Sequence, residues 1–390
     1  MATLTETNTW LEKAGTLAPL IEQYRDESEK QRHMAKPVYE AIRELGLFKL
    51  WLPRSLGGEE LDFRTVAETI EAIAYMDGSA GWNVVIANQS GWMLGYVDQD
   101  TGAEMLAKDP NVTLGGSGQP NGIATPVEGG YRITGRWSFA SGSRHTGWLC
   151  GVCRIKDGDS FLMNEDGTPV TRFPYFSSDQ YEIIDTWHTT GMRATGSHDL
   201  KVEDVFVPEG RALDNQAKTS AYQAGTLYQT SFRKIFGWPL AFVGLGIAAE
   251  AIDAFTDLAV NKTPSRGTKR LADNDHIQMT LGRAIAKLNS GRSYLYEMCD
   301  RMWAAMETGQ GDDEALLLEA LLASWNAAES AADAVDLVRT ASGTSGIYEG
   351  NKIERCWRDV HVVTQHANLS PSNYVRSGAL RLGLGFGTGR

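Results

Sequence analysis

Apolar residues recur at three- and four-residue steps through the first part of the chain. Leu11, Ala14, Leu17, Leu20, Ile21 and Tyr24 share one helical face, and Val38, Ile42, Leu45 and Leu47 share another. LWLPRSLGGEELDF interrupts this rhythm: Pro53 and Gly57-Gly58 break the helix, and Leu61-Asp62 restarts the chain into Thr65 to Tyr75. The next stretch, MDGSAGWNVVIANQSGWMLGYV, is apolar with small residues and carries Trp82 and Trp92. Near Asn111 the period changes. From VTLGGSGQPNG to HDLKVEDVFVP, ending at Pro208, apolar and polar residues alternate between glycine turns, the pattern of antiparallel strands. From about Ser231 to Gln365 the helical period returns, with long runs at Asp273–Met306 and Asp313–Ala341 whose acidic starts suit the helix dipole. After a glycine turn, Glu354 and Arg358 stand four apart, as do Arg355 and Asp359, the spacing of ion-pair partners on a helix. That helix delivers His366 just before the Leu369-Ser370-Pro371 stop. The pattern predicts an α+β chain in three parts: helical over 1–110, antiparallel β over 111–212, and a helical bundle over 213–390.

Composition narrows the function classes. A chain of 390 residues with 42% hydrophobic and 22% charged content is long enough for a substantial core. Its net charge of −12, with no run of lysine or arginine, argues against nucleic acid as a partner. The polar, acidic start does not read as a signal peptide, and the most apolar stretch, Trp238 to Phe255, carries Glu250 and Asp253, which suits a buried helix better than a membrane span. Four cysteines in so long a chain do not make a disulfide framework, so a cytoplasmic setting is expected. Cys150 and Cys153 form a CxxC, but on a strand that odd spacing puts them on opposite faces. Neither a metal-ligand spacing nor a GxGxxG after a strand is present in the sequence.

Several stretches resemble the acyl-CoA dehydrogenase superfamily, in order from Pro53 to His366. They are the PRSLGGEELDF step, GGYRITGRWSFASG, GMRATGSHDLKVEDVFVP, and the closing segment with Gly343, Gly346, Ile353-Glu354-Arg355 and Arg358-Asp359. The resemblance implies that family's fold: an N-terminal helical domain, a middle antiparallel β-domain, and a C-terminal four-helix bundle assembling into homotetramers. One departure redirects the chemistry. Where many dehydrogenases place the glutamate that removes a substrate proton, this chain has Ala367, and an alanine cannot accept a proton. The neighbouring His366 falls where the oxygenase components of two-component flavin monooxygenases carry a histidine. Ser141 falls on the threonine that sits beside the flavin N5.

The resemblance therefore implies a monooxygenase that takes reduced flavin, FADH2 or FMNH2, and O2 through a C4a-hydroperoxyflavin to oxygenate a small phenol- or indole-like aromatic. In that reading His366 takes a proton from the substrate, and Ser141 accepts the N–H of the reduced flavin. Ser117, Gln119, Phe139, Trp187, Arg193, Gly343 and Gly346 are expected to contact the flavin, and Trp82 and Trp92 to border the substrate. The family's adenine-binding motif is degenerate here as Ser265-Arg266-Gly267-Thr268-Lys269, which leaves FAD and FMN open. Without a dinucleotide fingerprint, a separate NAD(P)H:flavin reductase is the expected partner. Two alternatives stand beside this: an acyl-CoA dehydrogenase, and an N-oxygenase of an amino sugar or S-oxygenase of a fused thiophene.

Overall fold

The computed structural model describes residues 9–214, 222–230, 236–265 and 267–384. Ser231, where the second helical pattern is expected to begin, and Arg266 of the degenerate motif lie outside them. Six helices come first: α1 (Thr9–Gly15), α2 (Ala18–Gln31), α3 (Lys36–Glu44), α4 (Phe63–Met76), α5 (Gly78–Met93) and α6 (Gln99–Leu106). Aspartates start the later ones, the first of them at the Leu61-Asp62 restart read in the sequence. Asp62 accepts from Thr65 N–H at 2.9 Å at the head of α4, and Asp77 from Ala80 N–H at 2.8 Å at the head of α5. Helix α5 has no polar face, and every one of its residues but Ile86 is buried. A helix apolar all round must run through the middle of the molecule, and this one does.

The strands are β1 (Thr113–Val127), β2 (Gly130–Ala140), β3 (Thr146–Asp157), β4 (Ser160–Phe161), β5 (Thr171–Ser177), β6 (Glu182–Ile184), β7 (His198–Pro208) and β8 (Ala212–Asp214). They form one sheet in the order β6-β7-β2-β1-β3-β5-β8, with β4 beside β3. The sheet is mixed, which corrects the antiparallel expectation: β1 and β3 run parallel, while the other pairs are antiparallel. Alternation identifies a strand but not its neighbour's direction. Here β7 occupies the far edge of β2, so β3 settles against β1, two reversals after it. The CxxC spacing behaves as expected: Cys150 joins the core shared with the helices, and Cys153 the separate core on the other face.

Among the described residues the remaining helices are α7 (Ala241–Asn261), α8 (Asp275–Glu307), α9 (Glu314–Ser342), α10 (Lys352–Val363) and α11 (Ser372–Arg381). The first four pack as a bundle, with α9 against the other three. The apolar stretch that includes α7 is long enough to cross a membrane, but 78% of that window is inside the fold. The charges of α10 are only partly spent along the helix. Glu354 and Arg358 pair at 2.7 Å, whereas Arg355 turns away from Asp359 to reach Asp26 at 2.6 Å and Glu29 at 3.1 Å on α2. Arg358 also reaches Glu29, at 2.8 Å. Burial alone would raise the Glu29 carboxyl, but Arg358, Arg355 and Arg193 hold it below its ordinary range. Asp359 faces inward and serves a different purpose.

Candidate active site

A cavity of about 760 Å³ lies between α5, the sheet and the turn that follows α10. Along α5 its wall is Trp82, Ile86, Ser90 and Met93, one helical stripe. The sheet contributes Ser117, Phe139, Ser141, Cys150, Val152 and Phe173, and the turn contributes Gln365, His366, Ala367 and Asn368. Among the described lining residues there is no carboxylate and no lysine or arginine. Gly116 keeps the sheet wall flat, since a Cβ there would fall 2.4 Å from Cys150 Sγ.

His366 sits in the turn that ends α10. Its N–H reaches Val363 O at 3.2 Å, and buried Leu369 and the Asn368 amide, bonded to Phe236 O at 2.9 Å, hold the turn down. The Asn368 backbone N–H donates to His366 Nδ1 at 3.3 Å. Burial pushes the imidazole pKa down to about 4, so at neutral pH the ring is uncharged. With Nδ1 already an acceptor, the one proton of the neutral ring sits on Nε2. In this arrangement the atom left for the cavity is Nε2, a donor in the neutral ring, because a ring that gave its Nδ1 a proton would face another N–H.

Ser141 stands where β2 ends and the chain turns at Gly142, φ +73. Trp82 Nε1–H donates to its hydroxyl at 3.1 Å, and Ser197 Oγ lies 2.8 Å away, itself 2.7 Å from Thr195 Oγ1. The Trp82 ring also meets the His366 ring edge-on at 5.7 Å between centroids. One side chain therefore touches both candidate catalytic residues. The loop bearing Thr195 and Ser197 hangs on the backbone of Met192. Its N–H donates to Asp359 Oδ1 at 2.5 Å, and its carbonyl accepts from Trp187 Nε1 at 3.0 Å and Thr195 Oγ1 at 2.9 Å. Burial, countered by the Met192 N–H and reinforced by Asp77, raises the Asp359 carboxyl to about 7.

The other expected residues divide. Ser117, Gln119, Phe139, Trp187 and Trp82 line the cavity. Ser117 Oγ donates to Ser138 O at 2.7 Å, and Gln119 Oε1 accepts from Asn121 at 3.0 Å. Phe139 has φ +66, a conformation few bulky residues adopt, and remains 56% exposed with its ring edge-on to Trp187 at 6.1 Å. Four lie away from this cavity. Trp92 is 1% exposed and packs on Trp51 and Tyr96, because it lies off the stripe of α5 that faces the cavity. Arg193 turns outward to Glu29, 3.7 Å away, since its neighbours Ala194 and Thr195 take the inner side of that tight turn. Gly343 and Gly346 form the turn between α9 and α10 and are absent from the lining, Gly343 serving as a helix end at φ +58. Thr195, Ser197, Met192 and Asp359 were passed over in the sequence. The GMRATGS run held a readable hint, two hydroxyls flanking a glycine, but nothing local said they face inward.

These walls fit the flavin that the resemblance implies. An exposed, strained Phe139 beside Trp187 offers a face for a planar ring, while Ser117, Gln119 and Ser141 supply polar atoms around it. Ile86, Met93, Val152, Phe173 and Val363 make another part of the lining apolar.

Comparison with known proteins agrees. Residues 13–104 match the model for the acyl-CoA dehydrogenase N-terminal domain, and residues 239–371 that for its C-terminal domain. The indole-3-acetate monooxygenase of Pseudomonas putida is 32% identical over 92% of this chain and 89% of that protein. The oxygenase component of the FADH2-dependent resorcinol hydroxylase of a Rhizobium species is 27% identical over 91% of this chain and 89% of that protein. Among solved structures, XiaF from Streptomyces in complex with FADH2 and glycerol superposes with a TM-score of 0.89 at 25% identity, covering 97% of this chain and 96% of that one.

Proposed function

The chain belongs to the acyl-CoA dehydrogenase superfamily, among the oxygenase components of flavin-dependent monooxygenases, and from that premise we propose its substrate and the roles of its site residues. It is an oxidoreductase that uses reduced flavin and O2 to oxygenate a small aromatic compound. When bound, the reduced flavin supplies the oxidising power through its reaction with O2. The protein's share is to hold the reactants and keep water out. We infer that the substrate is an uncharged indole- or phenol-like aromatic lying in the apolar part of the cavity. His366, neutral and protonated at Nε2, orients it or stabilises developing negative charge by donating a hydrogen bond, and Ser141 accepts one from the flavin. A separate flavin reductase supplies the cofactor, and the oxygenase works as a homotetramer.

The observation that carries this reading is the meeting of Ser141 and His366 on Trp82, at one wall of a cavity whose described lining has no carboxylate. Many dehydrogenases place a carboxylate base at the position that Ala367 occupies here. The test is to supply the purified chain with separately reduced flavin, O2 and a panel of indoles, phenols and fused thiophenes, and to identify oxygenated product. Bleaching of bound oxidised flavin by an acyl-CoA, with no oxygenated product, would replace this reading with the dehydrogenase one.

A further inference from the structure

The hydroxyls around Ser141 are ordered, and their order follows from counting protons. Thr195 Oγ1 donates to Met192 O at 2.9 Å, a carbonyl that also holds Trp187 Nε1. A hydroxyl has one proton, so toward Ser197, 2.7 Å away, Thr195 can only accept. Ser197 therefore gives its proton to Thr195 and can only accept from Ser141, 2.8 Å away. Ser141 in turn spends its proton inward. One of its lone pairs takes the Trp82 indole N–H at 3.1 Å, and the other is left for the cavity. All three hydroxyl residues line the cavity yet are at most 5% exposed, so most of their polar surface is turned to one another and to the backbone.

We propose that Thr195 and Ser197 are positioning residues that fix Ser141 as a pure hydrogen-bond acceptor, so that the site selects a flavin carrying an N–H over one presenting a bare nitrogen. The inference rests on the flavin reading and adds to it a cause for choosing one redox state. A free serine would serve either state, donating to the bare nitrogen of oxidised flavin or accepting from the N–H of reduced flavin. Here the donating option is closed by two further hydroxyls of the cavity wall, whose own protons run away from Ser141. Asp359, bonded to Met192 N–H, anchors the residue whose carbonyl, one peptide further on, starts the order.

The experiment is to measure dissociation constants for oxidised and anaerobically reduced flavin with the full chain, and to compare their ratio across variants. In S197A the Ser141 proton loses its acceptor and can turn to the cavity, so the preference for reduced flavin should shrink about tenfold, the value of one hydrogen bond made or opposed. T195V should act in the same direction, since it frees the Ser197 proton. T195S keeps the hydroxyl and should keep the parent ratio. In an S141A background, S197A should have no further effect. In the flavin-free protein, the Trp82 indole N–H resonance should move in S141A and S197A and stay in T195S. An unchanged ratio in folded S197A and T195V would overturn the proposal while leaving the flavin reading intact. So would a T195S variant that loses the preference as T195V does, because the cause would then be packing. A chain that binds flavin in neither state would overturn both.

Discussion

The two ends of α10 solve opposite problems. Along its length the helix is held to α2 by ions: Arg355 and Arg358 share Glu29, with Asp26 and Glu354 completing the set. At its end, in the turn, it delivers His366, which burial keeps uncharged beside the neutral hydroxyls of Ser141, Ser197 and Thr195. Charge holds the helix where water can still reach and several partners share the cost of desolvation. Neutral groups are used at the cavity, where an unpaired charge would be most expensive and a hydrogen bond's direction carries information. Asp359 joins the two regions: it belongs to the charged helix, yet burial favours its protonated form, and it holds the Met192 peptide that supports the cavity wall.

The sharpest way to break this contrast is at the neutral end. H366A should lower product formation about a hundredfold or more, the usual loss when a donor to developing charge is removed. H366N, which keeps an N–H donor, should retain more activity than H366A. Product formed per flavin oxidised measures both, and equal loss in the two variants would argue for a proton-accepting histidine instead. S141A should come next, raising hydrogen peroxide released per product about tenfold, as expected for one lost hydrogen bond to a charged or polarised group; a peroxide assay against product yield decides it.

At the charged end the effect should fall on stability. R355A removes a guanidinium that is 9% exposed from two carboxylates, one of which keeps Arg358, and should cost about 1–3 kcal/mol, between the exposed and fully buried cases. Urea melts should show that loss, with product yield per folded molecule unchanged. A further effect is in pH. The Asp359 pKa is raised to about 7 in the fold, so its contribution is fully present below the unfolded value of about 3.9 and is lost as pH rises through 7. The stability of D359N relative to the parent should therefore grow between those limits. His366, His145 and His198 are each pushed down to about 4, so their contribution is present above the unfolded value of about 6.5 and is lost as pH falls through 4. By the same shift, the activity profile should show no inflection near about 6.5 from His366.

Much of the fold was legible along the chain. The helical stripes, the glycine-punctuated strands and the restart at Asp62 are local signals, since caps and periodicity act within a few residues. Ser141 and His366 were found through their places in family motifs, each beside a turn that anchors it. The two tryptophans of α5 show where such reading stops. Trp82 and Trp92 sit in equally apolar surroundings, but only the first faces the cavity, because α5 is buried on all sides and its composition does not mark a working face. The parallel pairing of β1 with β3 was equally hidden, since alternation is the same in either direction.

What the sequence determined by itself was the set of elements, the family, and the exchange of a carboxylate for an imidazole beside Ala367. Only the tertiary structure decided where protons go. The Nδ1 of His366 is claimed by a backbone N–H, the hydroxyl of Ser141 by Ser197 56 residues away, and the support of that wall by Asp359, 167 residues from Met192. Hydrogen-bond direction and desolvation depend on neighbours that meet through space, and no local pattern of residues records which ones will meet.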